Sequence, residues 1–491
     1  MKLRRTTLTE RLRTMPMLKA LVPFVAGLLA ADRFDLPAWF IVTAILLCGA
    51  AALLLQQRSC LTGFLVAAGC GATLIQPTRL TLPTDRELLL SLRPSESGAR
   101  ATGIIEAWSD PAANRTYDTR TAVQLRCDSS LRLEAGERIL CLGRIRPIRG
   151  GSAGFRHLMR SRGIVGSIRL TEAALLRREA PVRAPFHQRV AARMRRLLGP
   201  TEPCDTARLQ AAAVMRAMTV GDRHELPAPL RTAYARSGMA HLLAVSGLHT
   251  GIVLLLAHLL FGWIAWLLHR PRLRDLLAIG AVWLFAAATG FPPATLRAAL
   301  MCTLLQLTTF GTSVHQPMNG WALSALLLLV CRPAWLSDIS FQLSFIAVAA
   351  ILAWGVPLAR RCRTRRWYID RPLQALIIGL SASVATAPLV SHTFGILPLA
   401  GILLNPLVVL TGTLIVAGGL LLLLCPPLGS LLLPLTLWIT TLQNRLAETV
   451  GSLGGAVVER GLPAAAVIGI YLFFALATLL AWSVEPKNRI R

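Results

Sequence analysis

Residues 239–268 read MAHLLAVSGLHTGIVLLLAHLLFGWIAWLL, a long apolar run without Asp, Glu, Lys or Arg. A helix of about 20 residues crosses the hydrocarbon core of a bilayer, so this run is long enough to span a membrane. It therefore predicts a transmembrane helix.

Similar runs recur along the rest of the chain. Of 491 residues, 54% are apolar and only 15% are charged, whereas soluble domains carry about 25% charged residues. The composition argues against an ordinary soluble protein and predicts a polytopic α-helical membrane protein. The predicted helices cover residues 17–31, 38–55, 61–76, 239–268, 275–290, 294–310, 318–331, 338–358, 373–391, 396–424, 428–450 and 463–484.

The segment 77–180 is different, because it is polar and arginine-rich and has no run of membrane length. Apolar and polar residues alternate in Ala122–Cys127, and Gly136 and Gly143 separate further short runs. This alternation predicts strands, and about five short strands suit a small all-β barrel such as an OB-fold. Barrels of this kind often bind single-stranded nucleic acid. A β-module without a ligand is an interpretation that stays open.

Basic residues predict the orientation of the chain. The N-terminal sequence MKLRRTTLTERLR, the loops 269–274 and 360–371, and the tail after residue 484 are basic. Because short basic flanks stay in the cytoplasm, both termini are predicted to be cytoplasmic in a bacterial-type inner membrane. Three crossings then place the β-domain outside the cytoplasm, inserted after the third transmembrane helix.

The predicted domains and the net charge complete this outline. The net charge of +28 is nearly all arginine, which suits a polyanionic partner, although GC-rich coding would produce the same skew. The domains are the N-terminal transmembrane helices, 1–76; the extracytoplasmic OB-like domain, 77–180; an amphipathic, interfacial helical linker, 181–235; and the main transmembrane domain, 236–491.

Polar residues lie near the start of the helix predicted over residues 239–268. Ser246 and His249 fall on one face of a helix that has 100° per residue, with His241 near its start. Polar groups in hydrocarbon need partners or water, so they should face a bundle interior; mutual satisfaction of Ser246 and His249 in a packed helix stays an alternative. Gly247 and Gly251 form a GxxxG pair and predict close helix packing.

Three charged or amide residues occur near the ends of other predicted helices. Arg297 follows the first turn of the 294–310 helix, where it could face an anionic substrate or reach back to the interface. Asp338 and Gln342 lie four residues apart and share a helix face. Asp338 could pair with Arg297 or His249, or could simply cap its helix.

Two membrane-length segments contain interior prolines. Pro388 lies within an unusually polar run, and Asn405 with Pro406 interrupts the 396–424 run. Proline frees backbone carbonyls, which hydrocarbon tolerates only where protein or water takes them up. We therefore predict helix breaks at Pro388, Asn405 and Pro406 beside an aqueous path, with ordinary kinks as the alternative.

The ten cysteines show no close-paired metal spacing, so no metal and no cofactor is predicted. Cys127 and Cys141 lie on neighbouring predicted strands, where they could form a disulfide outside the cytoplasm. Two free core cysteines are the alternative.

Several motifs together resemble the ComEC family of competence DNA-uptake channels. They occur in the family's order and cover most of the chain. The matching stretches are Gly221-Asp222-Arg223 with SGMAHLLAVSGLHTG from Ser237, Gly290 with RAALM from Arg297, Asp338 with FQLSF from Phe341, Ala387-Pro388, Phe394-Gly395 and Asn405-Pro406.

The resemblance implies a channel that passes one strand of DNA into the cytoplasm during natural transformation. We assign the DNA path to His241, Ser246, His249, Arg297, Asp338 and Gln342. Expected partners are single-stranded DNA, membrane lipids, a DNA receptor, a cytoplasmic translocation ATPase and a separate nuclease, with a homo-oligomer left open. Many members carry a metallo-β-lactamase-like domain with a motif such as HxHxDH. That motif does not occur in this sequence, so a short form without enzymatic activity is expected.

Two other classes of function stay open. A small-molecule or lipid transporter would have the same helical composition, and inverted repeats would have favoured it. An intramembrane hydrolase would use Ser246 as nucleophile and His249 as base. The sequence offers no evident third group to orient such a base.

Overall fold

The computed structural model describes residues 15–34, 41–48, 58–72, 86–94, 100–110, 115–128, 131, 133, 136–147, 164–179, 185–198, 205–223, 225–308, 317–453, 457–458 and 461–484. They fall into two compact units. The helical unit comprises Met1–Ile75, Ala191–Pro333 and Ser340–Arg491, and the mainly β unit comprises Gln76–Val190 and Ala334–Ile339.

Helices form most of the described chain. Each apolar run predicted after residue 236 contains a described helix, and residues 41–48 are helical as well. The longer helices are α1 Pro16–Phe34, α2 Arg58–Ala72, α3 Phe186–Leu198, α4 Thr206–Val220, α5 Ala228–Arg236, α6 Gly247–Leu267, α7 Pro271–Ala288, α8 Pro293–Thr308, α9 Pro317–Cys331, α10 Ile339–Arg361, α11 Trp367–Phe394, α12 Leu399–Leu424, α13 Pro426–Ser452 and α14 Ala464–Val484.

Five helices of the described chain contain segments that are long and apolar enough to cross a bilayer. Their outer faces carry large apolar side chains; in α6, for example, Leu259, Trp263 and Trp266 are exposed. Apolar surface of this kind is stable against lipid and costly against water. The chain is therefore a polytopic helical membrane protein. The five segments are Gly247–Leu267, Ile339–Arg361, Trp367–Phe394, Leu407–Leu424 and Ala464–Ala481.

Glycines set the closest helix contacts of the helical unit. A Cβ added at Gly419 of α12 would lie 2.1 Å from Oγ1 of Thr219 in α4, and one at Gly418 would lie 2.5 Å from Oγ1 of Thr436 in α13. Only glycine permits these approaches. The Gly418-Gly419 pair thus has the packing role that small residues play between membrane helices.

The predicted GxxxG packing is wrong within this chain. A Cβ at Gly247 would meet the Ala298 Cβ at an ordinary 3.6 Å, and one at Gly251 would meet no described atom within 4 Å. Residues 240–243 form a separate 3₁₀ turn, and α6 begins at Gly247.

The predicted helix breaks at Pro388, Asn405 and Pro406 are also wrong. Helix α11 continues through Pro388, and α12 continues through residues 405 and 406. An interior proline removes only the helix bonds near it. The Tyr471 hydroxyl of α14 donates to the carbonyl oxygen of Ala385 at 3.0 Å and so satisfies backbone next to the proline.

The β unit is built on one seven-stranded sheet with the strand order β5-β6-β3-β2-β1-β4-β7. Neighbouring strands are antiparallel except for β3 and β6, which are parallel. Only Ile145 separates β4 from β5. Strand β4 pairs with β1, and β5 pairs with β6. The sheet is therefore closed on itself. The strands are β1 Glu87–Pro94, β2 Arg100–Asp110, β3 Arg115–Cys127, β4 Arg138–Arg144, β5 Arg146–Pro147, β6 Ile164–Leu170 and β7 Leu175–Glu179.

Alternating side chains fill the interior of this sheet. In β1, Leu88, Leu90 and Leu92 are fully buried and Arg93 points outward. The period of two is that of a strand with one face on the core. Fourteen buried residues, from these strands and from Leu131, Leu133 and Ile145, form the hydrophobic core.

Cys127 and Cys141 are both free thiols in the structure. The expectation that they lie on adjacent strands is wrong, because β2 and β1 separate β3 from β4 in the sheet. Cys141 is fully buried in the core, and burial raises the pKa of its thiol to about 12. Burial and the nearby Glu137 and Asp128 carboxylates also raise the pKa of the Cys127 thiol.

Candidate functional site

The first turn of α6 holds Ser246 and His249 together. Ser246 has extended backbone angles and occupies the N-cap position. Its backbone amide donates to Nδ1 of His249 at 3.0 Å, and its carbonyl accepts the Thr250 amide, the first bond of the helix. His249 is 0% exposed. The imidazole therefore folds back over the positive end of the helix dipole.

This geometry fixes the tautomer of His249. A backbone amide can only donate, so Nδ1 must be the unprotonated nitrogen and Nε2 must carry the proton. The Nε2 atom is buried and has no hydrogen-bond partner among the described residues. The Ser246 hydroxyl oxygen accepts the backbone amide of His249 in a capping box, and its hydrogen has no acceptor among the described residues. The Nε2–H of His249 and the hydroxyl hydrogen of Ser246, both at the start of α6, therefore have no acceptor among the described residues.

The same geometry gives the hydrolase alternative no support. A serine nucleophile needs its hydroxyl hydrogen-bonded to the base that takes the proton. Here the histidine nitrogen nearest to Ser246 accepts from the Ser246 amide, and the Ser246 hydroxyl contacts no base in the described chain.

Arg297 joins two helices. Its side chain is 1% exposed, and its NH2 group donates to the Ser340 carbonyl oxygen at 2.9 Å and to the Ser340 hydroxyl at 2.8 Å. The guanidinium also lies over the Phe341 ring, 5.9 Å from its centroid. Arg297 thus holds the start of α8 against the start of α10.

The other predicted path residues lie at helix ends. Asp338 directly precedes α10, is buried, and donates its backbone amide to the Trp335 carbonyl at 2.9 Å. Gln342 is half-buried one turn into α10. His241 is exposed in the 3₁₀ turn before α6, and its Nδ1 lies 3.1 Å from the Gly238 carbonyl oxygen. Since a carbonyl only accepts, Nδ1 of His241 carries a proton.

The structure brings the starts of α6, α8 and α10 together. Gly247 of α6 faces Ala298 of α8, and Arg297 of α8 bonds to Ser340 of α10. None of the first turns of these three helices contains an acidic residue. Their positive dipole ends are therefore not offset by carboxylates within those turns.

His249 and Arg297 do not line either of the two cavities identified in the described chain. One cavity lies in the β unit beside Glu106 and Arg138, and the other lies between the starts of α4 and α13. Both side chains are almost fully buried.

Sequence reasoning missed a buried polar network between α5, α12 and α13. The Tyr234 hydroxyl donates to Asn444 Oδ1 at 2.7 Å, Gln443 Nε2 donates to the Tyr234 oxygen at 3.2 Å, and Thr411 donates to Gln443 Oε1 at 2.8 Å. A signal was present, because Thr436, Gln443 and Asn444 lie on one face of α13 at helical spacing.

An ion cluster near the α6–α7 turn was missed as well. Asp275 is buried, accepts a hydrogen bond from Arg274 Nε at 2.8 Å, and lies 3.4 Å from Nε2 of His258. Charged groups within a membrane are costly without such partners. The signal that could have found it is an acidic residue directly after a basic loop, at the first position of the helix predicted over 275–290.

The fold and these buried polar sites define a polytopic membrane protein whose polar residues lie between helices. The family model described as "Competence protein" matches residues 218–485. The match covers more than half of the chain, and this protein belongs to that family.

Curated relatives agree with the family assignment. The chain is 29% identical over 282 residues to ComE operon protein 3 of Bacillus subtilis (strain 168), covering 56% of this chain and 34% of the relative. It is 31% identical over 203 residues to Competence protein ComA of Neisseria gonorrhoeae, covering 39% and 27%. An uncharacterized protein of Aquifex aeolicus (strain VF5) is 28% identical over 184 residues, covering 38% and 40%. The alignments thus span less than half of each relative's length, and no solved structure matches.

Proposed function

We propose that this protein conducts single-stranded DNA through the inner membrane into the cytoplasm during natural transformation. The observation that carries the proposal is the family match over residues 218–485. That range includes the starts of α6, α8 and α10, where the unpartnered donors of Ser246 and His249 lie. The role in competence comes from the family, and the channel activity is our inference.

The physical requirement on such a channel is a wet path. Each nucleotide carries one charge, and an unpaired charge in hydrocarbon costs at least several kcal/mol. Contacts to phosphates and to the faces of bases suit uptake that does not depend on sequence. Because His249 and Arg297 are buried, the path through the helix starts opens only when the helices separate.

We further propose that the β unit lies outside the cytoplasm and gathers the strand. Strands β1, β2, β3 and β6 are neighbours in this order, and the continuous β4–β5 segment pairs with β1 through β4 and with β6 through β5. This closed order supports an OB-like barrel. Tyr117 is exposed and stacks on Trp108 with ring centroids 4.4 Å apart, which suits base stacking. Several arginines are already paired with carboxylates, such as Arg93 and Arg138 with Glu106.

The proposed setting has both termini in the cytoplasm, with a DNA receptor outside and a translocation ATPase inside. A separate nuclease would degrade the other strand. Membrane lipids surround the exposed apolar helix faces, and a homo-oligomer is compatible with the proposal.

The decisive experiment follows labelled donor DNA in a strain that lacks the gene. We expect bound donor DNA to stay outside the cytoplasm and transformants to disappear, with both restored by the gene in trans. Normal entry of label into the cytoplasm would overturn the proposal. That outcome would favour the small-molecule or lipid transporter instead.

A further inference from the structure

The starts of α6 and α8 carry polar hydrogens that no described group accepts. These are the Nε2–H of His249, the hydroxyl of Ser246 and the hydroxyl of Thr295. His249 and Thr295 are both 0% exposed. Burying a donor without an acceptor is unfavourable, so such groups call for a ligand that accepts.

The three donors lie at the starts of two helices that are in contact. A Cβ at Gly247 would lie 3.6 Å from the Ala298 Cβ, so the first turn of α6 packs beside the second turn of α8. Thr295 lies three residues before Ala298, so both project from the same side of α8. The His249 ring folds back onto the N-cap amide of its own helix, so its Nε2–H also lies at this end.

The electrostatics select an anion. Helix starts present free amides and a partial positive charge, and paired starts of this kind bind phosphate oxygens. Neither first turn contains an acidic residue. The Arg297 guanidinium, two residues after Thr295, adds a fixed positive charge that Ser340 holds in position.

We propose that the starts of α6 and α8 form a phosphodiester site, in which His249 Nε2–H and the Ser246 and Thr295 hydroxyls donate to phosphate oxygens. This inference rests on the proposed function for the source of the phosphate, the backbone of the entering strand. Thr295 is thereby assigned to the DNA path, to which the sequence did not assign it. A lipid head group offers the same chemistry, and the test separates the two sources.

Two substitutions of His249 distinguish the role of Nδ1 as an acceptor from the role of Nε2–H as a donor. In His249→Asn the amide oxygen can replace Nδ1 as acceptor for the Ser246 amide, but the Nε2–H donor is lost. In His249→Gln the longer amide can replace that donor, but the cap is lost. Thr295→Val removes a hydroxyl at nearly constant volume. Thr413→Val is the matched control, because the Thr413 hydroxyl donates to the Val409 carbonyl of its own helix.

The measurement is binding of a fluorescent 20-nucleotide oligo-dT to the purified full chain in an uncharged detergent, followed by anisotropy. We expect His249→Asn and Thr295→Val to bind about tenfold to a hundredfold more weakly than wild type, and His249→Gln to bind more tightly than His249→Asn. The control Thr413→Val should match wild type. An oligomer with an uncharged methylphosphonate backbone should compete poorly, and vesicles with phosphatidylglycerol should not displace oligo-dT.

Several results would overturn the site. The first is unchanged oligo-dT binding in His249→Asn together with weaker binding in His249→Gln, at equal thermal stability. That result would show that His249 acts only by capping the helix. Equal competition by the uncharged oligomer would remove the phosphate contact, and displacement by phosphatidylglycerol alone would make the site a lipid site. Absence of oligo-dT binding by the wild type would contradict the proposed site. The proposed function is tested separately, by DNA uptake in the deletion strain.

Discussion

At the scale of single residues, Arg297 shows how burial changes the expectation. The sequence alone predicts that Arg297→Ala lowers transformation at an unchanged protein level. The structure buries this guanidinium completely and gives it two hydrogen bonds to Ser340. Removal of a buried charge from its partners leaves a cavity and an unsatisfied neighbour. Arg297 is thus a positioning residue as well as a fixed charge.

The resulting prediction compares two substitutions of Arg297. We expect Arg297→Ala to lower the unfolding free energy by about 2–5 kcal/mol and so to lower the protein level. Arg297→Gln keeps a donor for Ser340 and should retain the level, yet reduce transformation because the charge is lost. Immunoblots of membranes and transformation frequency measure the two effects. Normal transformation in Arg297→Gln would show that the charge acts only in packing.

At the scale of helices, sequence spacing predicts close packing at Gly247 and Gly251, whereas the closest helix contacts lie at Gly418 and Gly419. Gly247 and Gly251 match the GxxxG pattern, but Gly247 meets α8 only at an ordinary Cβ distance and Gly251 meets no described atom within 4 Å. The Gly418-Gly419 pair of α12 instead allows contact with α4 and α13. A spacing rule gives the face on which small residues lie, but it cannot say which neighbour packs against that face.

A matched pair of glycine substitutions tests this assignment. Gly419→Ala would place its Cβ 2.1 Å from Thr219 Oγ1, so we expect destabilisation of about 1–3 kcal/mol from overpacking. Gly251→Ala meets open space and should be neutral or stabilising by up to about 1 kcal/mol. Thermal unfolding of the purified protein in detergent measures both. A severe loss in Gly251→Ala would indicate that a second copy of the chain packs on that face.

At the scale of the whole molecule, the alternation of helices with the basic loops sets the orientation. If the β unit is outside, α6 enters the cytoplasm, and each later helix reverses the direction. This count places the end of α9 outside and the end of α10 inside. The end of α10 and the loop after it contain Arg360, Arg361, Arg363, Arg365 and Arg366, in agreement with the positive-inside rule.

Two exposed cysteines make the orientation testable. Cys331 ends α9 and Cys362 follows α10, and both thiols are free and exposed. In single-cysteine variants, a membrane-impermeant maleimide should label Cys331 in intact spheroplasts and should label Cys362 only after permeabilisation. The reverse pattern would invert the proposed topology, and labelling of both before permeabilisation would contradict the count of crossings.

The division between sequence and structure follows from the range of the forces involved. Membrane helices and the alternating strands could be predicted from the sequence, because hydrophobic length and periodicity are local properties. Continuity through Pro388 could not, since a distant hydroxyl on Tyr471 satisfies the backbone beside it. The Tyr234–Asn444 network likewise joins residues far apart in the chain.

The sequence by itself determined the polytopic class, the β segment and the family. Only the tertiary structure decided that Ser246 caps α6, that Arg297 bonds to Ser340, that Thr295 is buried, and that Cys127 and Cys141 are on non-adjacent strands. The physical reason is that helix and strand formation depend on neighbours in sequence, whereas burial and donor satisfaction depend on which distant elements pack together.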